Sequence, residues 1–449
     1  MKSELYLLNI SVSGIKNIKE EVRLDFYKKT VDRDFDPERY RVKAIYGENG
    51  SGKSAIITAV KIFQDLIMRN NYLSESKTQG FLSQIVNKTT QTLCFGCEFR
   101  SGLAGGQTSM VYRYSFRIGR NKNGIYELQY EILQSKNGSY ANNNYKTVYE
   151  CKNGELGYIN STDHLKELME KVTLNLLPIH SFLHLFFANT EKINELADFK
   201  ADEDRKILRD MLQCAYFLIF LNIYIGEEDQ HERYFLQRSL QEKGLGQQAF
   251  MEQFLEYASS WNAFSAVNEK YVTKHYFEKY KKSVEQLTQF IKIFKPGLVS
   301  IDIDAKEHGE EYVCELNLNY GDYVINREFE STGIKKLIRL FDCFVAASGG
   351  GIVFVDEMDS NLNDVYLCRL IEYFMYYGKG QLCFTTHNLD PMAVLKENRN
   401  AIDFLSNDNH LIPWTARGNA SPENCYKNGM IEDLPFNVDA SDFVGIFGE

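Results

Sequence analysis

A chain of 449 residues with 44% hydrophobic and 25% charged residues has the balance of an ordinary folded protein of two or three lobes, which excludes disordered and fibrous classes. Its formal net charge of −10 argues against a broad nucleic-acid footprint and leaves room only for a local basic groove. Nine cysteines, an odd number at irregular spacing, fit reduced thiols in a cytoplasmic protein better than a disulfide framework.

The N-terminus alternates like a strand and lacks the unbroken apolar core of a secretory signal. Residues 4 to 12 and 21 to 26 predict two strands joined by a turn over residues 13 to 17. Residues 40 to 46 predict a third. Next come Gly47, Glu48, Asn49, Gly50, Ser51, Gly52, Lys53 and Ser54, which fit the spacing G-x-x-x-x-G-K-[ST]. From Ser54 to Arg69 the apolar residues Ile56, Ile57, Val60, Phe63 and Ile67 keep a helical spacing. Strand, loop and helix is the context this motif needs. The glycines let backbone N–H groups turn inward on an anion, and the helix N-terminus adds partial positive charge. Lys53 is placed to reach the β and γ phosphates of a nucleotide such as ATP, and Ser54 to put a hydroxyl on Mg²⁺. Residues 70 to 80 read as a polar linker.

From residue 91 to about 160 the period changes to two, with Gly- and Asn-rich breaks, and predicts an antiparallel meander. Cys94 and Cys97 form a C-x-x-C spacing there without a second pair, so buried thiols are favoured over a metal site. Residues 162 to 292 read as mostly helical, over Leu165 to Val172, Ile193 to Ile225, Phe250 to Phe264 and Tyr271 to Ile293. The longest apolar run, Ala215 to Ile225, is interrupted by Asn222 and too short to span a bilayer. His180 and His184 have helix spacing but no H-E-x-x-H glutamate, which favours core histidines. Lys274, Lys279, Lys281 and Lys282 read as a solvated face in preference to a phosphate-backbone contact.

Residues 298 to 329 return to strand period. Ser331, Thr332 and Gly333 then open a helix whose apolar positions include Ile334, Leu337, Ile338 and Phe341, so that a hydroxyl and a glycine sit at its N-terminus. Plain N-capping is the competing explanation. Gly351 to Glu357 is a buried-looking strand ending in two carboxylates: Asp356 is placed for the Mg²⁺ shell and Glu357 to orient and deprotonate a water. Gln381 to Asn388 reads as a further strand ending in His387, on the ligand-binding edge of a doubly wound sheet.

Taken together, G-x-x-x-x-G-K-S, S-x-G before a helix, an apolar strand ending in Asp356 and Glu357 with Met358 and Asp359 after it, and T-T-H-N in that order resemble the ABC-type ATPases of the SMC and RecF group. Within that group the chain looks most like stand-alone ATPases related to OLD proteins and to the RloA, AbiL and AriA-like components of phage-defence loci. The resemblance covers roughly residues 1 to 70, 90 to 135 and 325 to 395. It implies an α/β fold: an ABC-type P-loop ATPase head with an antiparallel β meander and a helical insertion. Residues 1–160 and 298–449 would be the two parts of the head, and 161–297 the insertion. It implies ATP and Mg²⁺ as ligands. Ser331 and Gly333 would be the signature that contacts ATP on the other protomer, Asp356 and Glu357 the Walker B aspartate and catalytic base, Asp359 a D-loop residue and His387 the switch histidine. Lys16 and Asn17 match a nucleotide-proximal N-terminal segment.

The chain departs from relatives in having Ser-Thr-Gly-Ile-Lys in place of Ser-Gly-Gly-Gln, and Gln84 and Gln91 are weak candidates for the glutamine that relatives place near Mg²⁺. The residues after His387 are too few for the Toprim nuclease of OLD proteins, which puts any nuclease or toxin effector on another polypeptide. The resemblance therefore implies a head-to-tail ATP-sandwich homodimer without a membrane segment, serving either a defence system or, as the alternative, DNA repair of RecF or SMC type.

Overall fold

The computed structural model describes residues 3–103, 109–141, 143–189, 201–226, 268–398, 400–415, 420–431 and 446. In chain order the elements are β1 (Ser3–Ser13), β2 (Val22–Asp25), β3 (Val42–Gly47), α1 (Lys53–Met68), α2 (Ser76–Ile85), β4 (Thr92–Leu103), β5 (Ser109–Arg120), β6 (Tyr126–Asn137), β7 (Lys146–Lys152), β8 (Glu155–Ile159), α3 (Asp163–Thr173), α4 (Phe182–Ala188), α5 (Asp202–Ile219) and β9 (Leu221–Tyr224). After residues 227–267 come β10 (Lys270–Thr273), α6 (Phe277–Phe294), β11 (Ser300–His308), β12 (Glu311–Asn319), β13 (Val324–Asn326), α7 (Thr332–Gly349), β14 (Ile352–Val355), α8 (Asp364–Tyr376), β15 (Gln381–Thr385), α9 (Pro391–Leu395), β16 (Ile402–Leu405), β17 (Leu411–Pro413) and α10 (Pro422–Lys427).

These elements make a mixed α/β fold with three sheets. The first is antiparallel, in the order β2-β1-β4-β5-β6-β7-β8. Its period-two sequences put Phe95, Cys97 and Phe99 of β4 inside and leave Cys94, Glu98 and Arg100 part-exposed, so the two cysteines face opposite sides. The second runs β17-β16-β3-β15-β14-β9 and is parallel except for β17. Its central strands, such as Ile352–Val355, are buried throughout, as expected of a parallel sheet covered on both faces. The third is small and antiparallel, with β12 between β10 and β11 and also paired to β13.

Helix α1 lies between the first two sheets. Ile56, Ile57, Val60, Phe63, Leu66 and Ile67 share one core with the meander strands and with Ile352, Phe354 and Cys383 of the parallel sheet. A helix apolar on nearly every side can only be stable when it is enclosed. The two sheets are also joined by Gln381, whose side chain accepts from Leu7 N at 2.6 Å and donates to Leu7 O at 2.9 Å where β1 slips register. Helix α7 belongs to two cores. Ile334, Leu337, Ile338 and Phe341 pack on the small sheet and α6, while Leu340, Cys343, Phe344 and Ala347 pack on the parallel sheet.

Three expectations need correction. Leu221–Tyr224, predicted as helix, is an edge strand pairing with β14. The four residues belong to the same apolar run as the end of α5, broken only by Asn222, and a strand that short has no periodicity to separate it from helix. Tyr271 belongs to β10, not to the helix that follows, and residues 70 to 80, read as a polar linker, hold the start of α2. The segments Ile193 to Lys200 and Phe250 to Phe264 lie outside the described residues. Of the basic cluster, Lys274 pairs with Glu307, and Lys281 with Glu278 at 2.6 Å. No helix among the described residues is long and apolar enough to cross a membrane.

Inside the meander, Glu131 is fully buried and accepts from Tyr114 Oη at 2.9 Å, Tyr149 Oη at 2.6 Å, Ser181 Oγ at 2.8 Å and Phe182 N at 2.7 Å. Burial pushes its carboxyl above the ordinary range, and these four donors pull it back. The cluster ties β5, β6 and β7 to the start of α4. Glu131→Ala is expected to lower stability by roughly 3 kcal/mol or more, because it leaves several buried donors without an acceptor. Equilibrium denaturation checks this, and a loss below about 1 kcal/mol would mean the cluster is satisfied by other means.

His180 and His184 stack at 5.5 Å, with His184 Nδ1 2.8 Å from Ile67 O. Burial and its neighbour lower His180 to about 4, and burial lowers His184 as well. Both belong to the packing between α1 and α4.

Candidate nucleotide site

Because β3, β14, β15, β16 and β9 run parallel, their carboxyl ends share one edge, where crevices in such sheets bind ligands. The chain leaves β3 into the loop 47–54, leaves β14 at Asp356, leaves β15 at Thr385, Thr386 and His387, and leaves β16 into the turn 406–410.

In the loop, Gly52 has φ 112, and a Cβ there would come within 3.0 Å of Ile18 and 3.1 Å of Asn17. Only glycine fits that turn at that distance. Lys53 begins α1 and is 6% exposed, and its ammonium donates to Gly47 O at 2.8 Å and Glu48 O at 2.9 Å. Burial lowers its pKa, while Asp356, Glu357, Asp359 and Glu48 pull it up, which places four carboxylates in electrostatic reach of one buried cation. Asn49 and Gly50 are exposed at the crest of the loop, and Ser54 is half-buried in the first turn of the helix. Ser51 is fully buried, and its Oγ has no hydrogen-bond partner among the described residues.

Asp356 is 6% exposed and accepts from Thr385 Oγ1 at 2.5 Å. Thr385 Oγ1 in turn accepts from Glu357 N at 2.7 Å, so one buried threonine fixes both acidic residues. The Glu357 side chain projects from a left-handed backbone (φ 48) at an exposed position. Asp359 Oδ2 accepts from the backbone N–H groups of His387 and Asn388, each at 3.2 Å, and so holds the turn after β15 against the turn after β14. His387 is exposed. Burial and Lys53 lower its pKa and Asp359, Glu357 and Asp356 oppose them, which favours a neutral imidazole at pH 7.

Asn17 Nδ2 donates to Gly50 O at 2.9 Å and Ser51 O at 3.0 Å, clasping the loop from outside. Lys16 is held by its backbone: its N donates to Ile85 O at 2.5 Å and its O accepts from Asn87 Nδ2 at 2.7 Å, with its side chain exposed beside the loop. Gln84 and Gln91 are both exposed on the segment that pairs with this turn, and Gln91 Nε2 is spent on Lys88 O.

Among the described residues, no hydrogen bond joins Ser331 or Gly333 to the chain's own 47–54 loop. Ser331 precedes α7, is exposed, and makes no side-chain capping bond, so plain N-capping does not explain its hydroxyl. Gly333 is tight against the turn after β14, where a Cβ would lie 2.7 Å from Asn361 O.

Three sets of contacts are not legible in the sequence. Thr385 orients the acidic pair, and it was visible only as one letter of T-T-H-N. Asn407 Nδ2 donates to Glu48 Oε2 at 2.6 Å and Asn409 Nδ2 to Ser51 O at 3.4 Å, so the β16–β17 turn buttresses the loop from a segment nearly the whole chain away. Lys336, 7% exposed, reaches from α7 into the turn after β14.

No protein-family model and no curated protein matches the sequence. Among solved structures, the chain is similar to an SMC head bound to the C-terminal winged-helix domain of ScpA, with 14% identity and a TM-score of 0.45 over 94% of this chain and 99% of that one. It is also similar to the recombination mediator protein RecF of the RecFOR pathway, with 12% identity and a TM-score of 0.36 over 92% and 99% of the two chains. Likeness of this degree carries no weight for function; the arrangement of side chains does.

Proposed function

We propose that this chain is a Mg²⁺-dependent ATP hydrolase of ABC type. The observation that carries the proposal is the meeting of Lys53, Asp356, Glu357 and His387 at one sheet edge, from three separate strand ends. The loop's backbone and Lys53 would grip the triphosphate, and the buried unpartnered Ser51 Oγ is a further polar atom beside it. The hard oxygens of Ser54 and Asp356 suit Mg²⁺, which supplies charge neutralisation between phosphates. Glu357 accepts the proton of the attacking water and His387 donates a hydrogen bond toward the γ phosphate.

The exposed Ser331, with the half-buried Gly333 beside it and no hydrogen bond to its own loop among the described residues, suits a head-to-tail dimer in which each chain completes the other's site. Ser331→Arg is expected to abolish turnover alone while keeping nucleotide affinity. Mixed with a loop-dead Lys53→Ala chain, it should form a hybrid dimer that holds ATP in its one intact composite site, with turnover of at most about a quarter of the wild type, since half of randomly paired dimers are hybrids and each keeps one intact site of two. No ATP-dependent hybrid dimer on mixing, with both chains folded, would remove the shared site.

On the resemblance of motif order we further propose that ATP turnover serves as the sensor and scaffold of an anti-phage system that controls a separate effector. The alternative, a repair ATPase clamping DNA, predicts a hydrolysis rate stimulated by duplex DNA and lost steeply with salt. Stoichiometric co-purification of a second polypeptide favours the first.

A further inference from the structure

The α7 lysine that enters the turn after β14 joins two parts of the proposed site that serve different nucleotides. Its Nζ donates to Ser360 Oγ at 2.8 Å and to the Glu357 carbonyl at 3.2 Å, and the same carbonyl accepts from Ser360 Oγ at 3.0 Å and Ser360 N at 3.1 Å. Its ammonium also lies 4.9 Å from the centre of the Tyr224 ring, and Tyr224 O accepts from Asp356 N at 2.8 Å. One turn of helix earlier, Gly333 touches Asn361 closely enough to exclude any side chain. The start of α7 and the turn 357–361 are thus tied twice, by a buried cation and by backbone contact. Glu357 has φ 48, a conformation uncommon for residues other than glycine and asparagine and held here by the contacts of its main chain. A shift of α7 along its axis would withdraw one of the three donors to the Glu357 carbonyl and loosen the turn that aims the carboxylate.

We propose that Lys336 is a positioning residue that couples the two ATP sites of the dimer, by transmitting engagement of Ser331 with the partner's nucleotide to the aim of Glu357 on the chain's own nucleotide. This rests on the ATPase reading above. In a head-to-tail dimer, Ser331 and Glu357 of one chain act on opposite nucleotides, and the Lys336 contacts run between them within that chain. Hydrolysis at one site then depends on occupancy of the other. Lys336 touches neither nucleotide, so its loss should alter turnover and cooperativity and spare intrinsic affinity.

The test is the ATP dependence of phosphate release by the full-length wild type, Lys336→Met, Lys336→Arg and Ser360→Ala, alongside binding of a fluorescent ATP analogue and thermal melting. The wild type is expected to show a Hill coefficient clearly above 1 and approaching about 2. Lys336→Met should drop it to about 1, with kcat reduced about 10-fold and analogue Kd changed less than about 3-fold. Lys336→Arg should restore much of both kcat and cooperativity. Ser360→Ala, which leaves the lysine bound to the Glu357 carbonyl, should fall between, and it decides the matter if Lys336→Met does not fold. An active wild type with a Hill coefficient of about 1, or a folded Lys336→Met or Ser360→Ala that retains full cooperativity, overturns the coupling and leaves the ATPase reading standing. A folded wild type that neither binds the analogue nor hydrolyses ATP overturns that reading, and the coupling with it.

Discussion

Glu357→Gln is expected to bind Mg²⁺-ATP as the wild type does and to hydrolyse it at least about 10²-fold more slowly, the usual value of a positioned base. The substitution suits the site because the contacts that place residue 357 are made by its main chain. Thr385 Oγ1 accepts from its N–H, and its carbonyl accepts from Lys336 and Ser360. A glutamine keeps these, keeps the shape and loses only proton acceptance. The side chain is exposed, so stability should change by less than about 0.5 kcal/mol. With binding intact and turnover blocked, the ATP-bound dimer should accumulate, seen as an ATP-dependent shift to twice the monomer mass in size-exclusion chromatography with light scattering. Turnover near the wild-type rate would take the base role from Glu357. The neutral imidazole of His387, whose pKa is lowered by burial and by Lys53, would then be the group to examine.

How far the sequence reaches depends on whether a feature is written in adjacent residues. The 47–54 loop is legible because all its parts are consecutive and the flanking strand and helix carry clear periods. Asp356 and Glu357 are visible as the end of an apolar strand, yet a pair of that kind is common, and only the fold brings it opposite Lys53. The clasp by Asn17 follows from an N-terminal segment placed by resemblance. The buttress by Asn407 and Asn409 follows from nothing local, because asparagines in a hairpin turn look like ordinary turn residues until β16 pairs with β3. Lys336 is hidden for a related reason. A lysine beside another lysine near the start of an amphipathic helix reads as solvated surface, and its burial arises because α7 must serve two cores at once. The short strand Leu221–Tyr224 shows the same limit at the level of fold, since its partner β14 lies far along the chain.

Lys53→Ala is expected to lose at least about 10-fold in ATP affinity, as removal of a charge-assisted hydrogen bond to phosphate, worth about 1.5–3 kcal/mol and made by the one donor not spent on the Gly47 and Glu48 carbonyls, requires. The side chain is already organised for that task. It is almost fully buried, and its ammonium is confined between the Gly47 and Glu48 carbonyls, so little rotamer entropy remains to be lost on binding. It also faces Asp356, Glu357, Asp359 and Glu48, the groups that raise its pKa against burial. Without it the cleft presents four carboxylates to a polyanion, and repulsion adds to the lost bonds. In a thermal-shift titration, Mg²⁺-ATP should raise the melting temperature of the wild type with rising ligand concentration and leave that of Lys53→Ala nearly unchanged. Equal stabilisation of the two would mean that the triphosphate is not held by this loop. The contrast with Glu357→Gln separates the two functions of the sheet edge: one variant fails to bind, the other binds and fails to turn over. A chain in which both substitutions lowered binding equally would instead have a site where the carboxylate supports the ground state. In that case the motif order would have been matched without its chemistry.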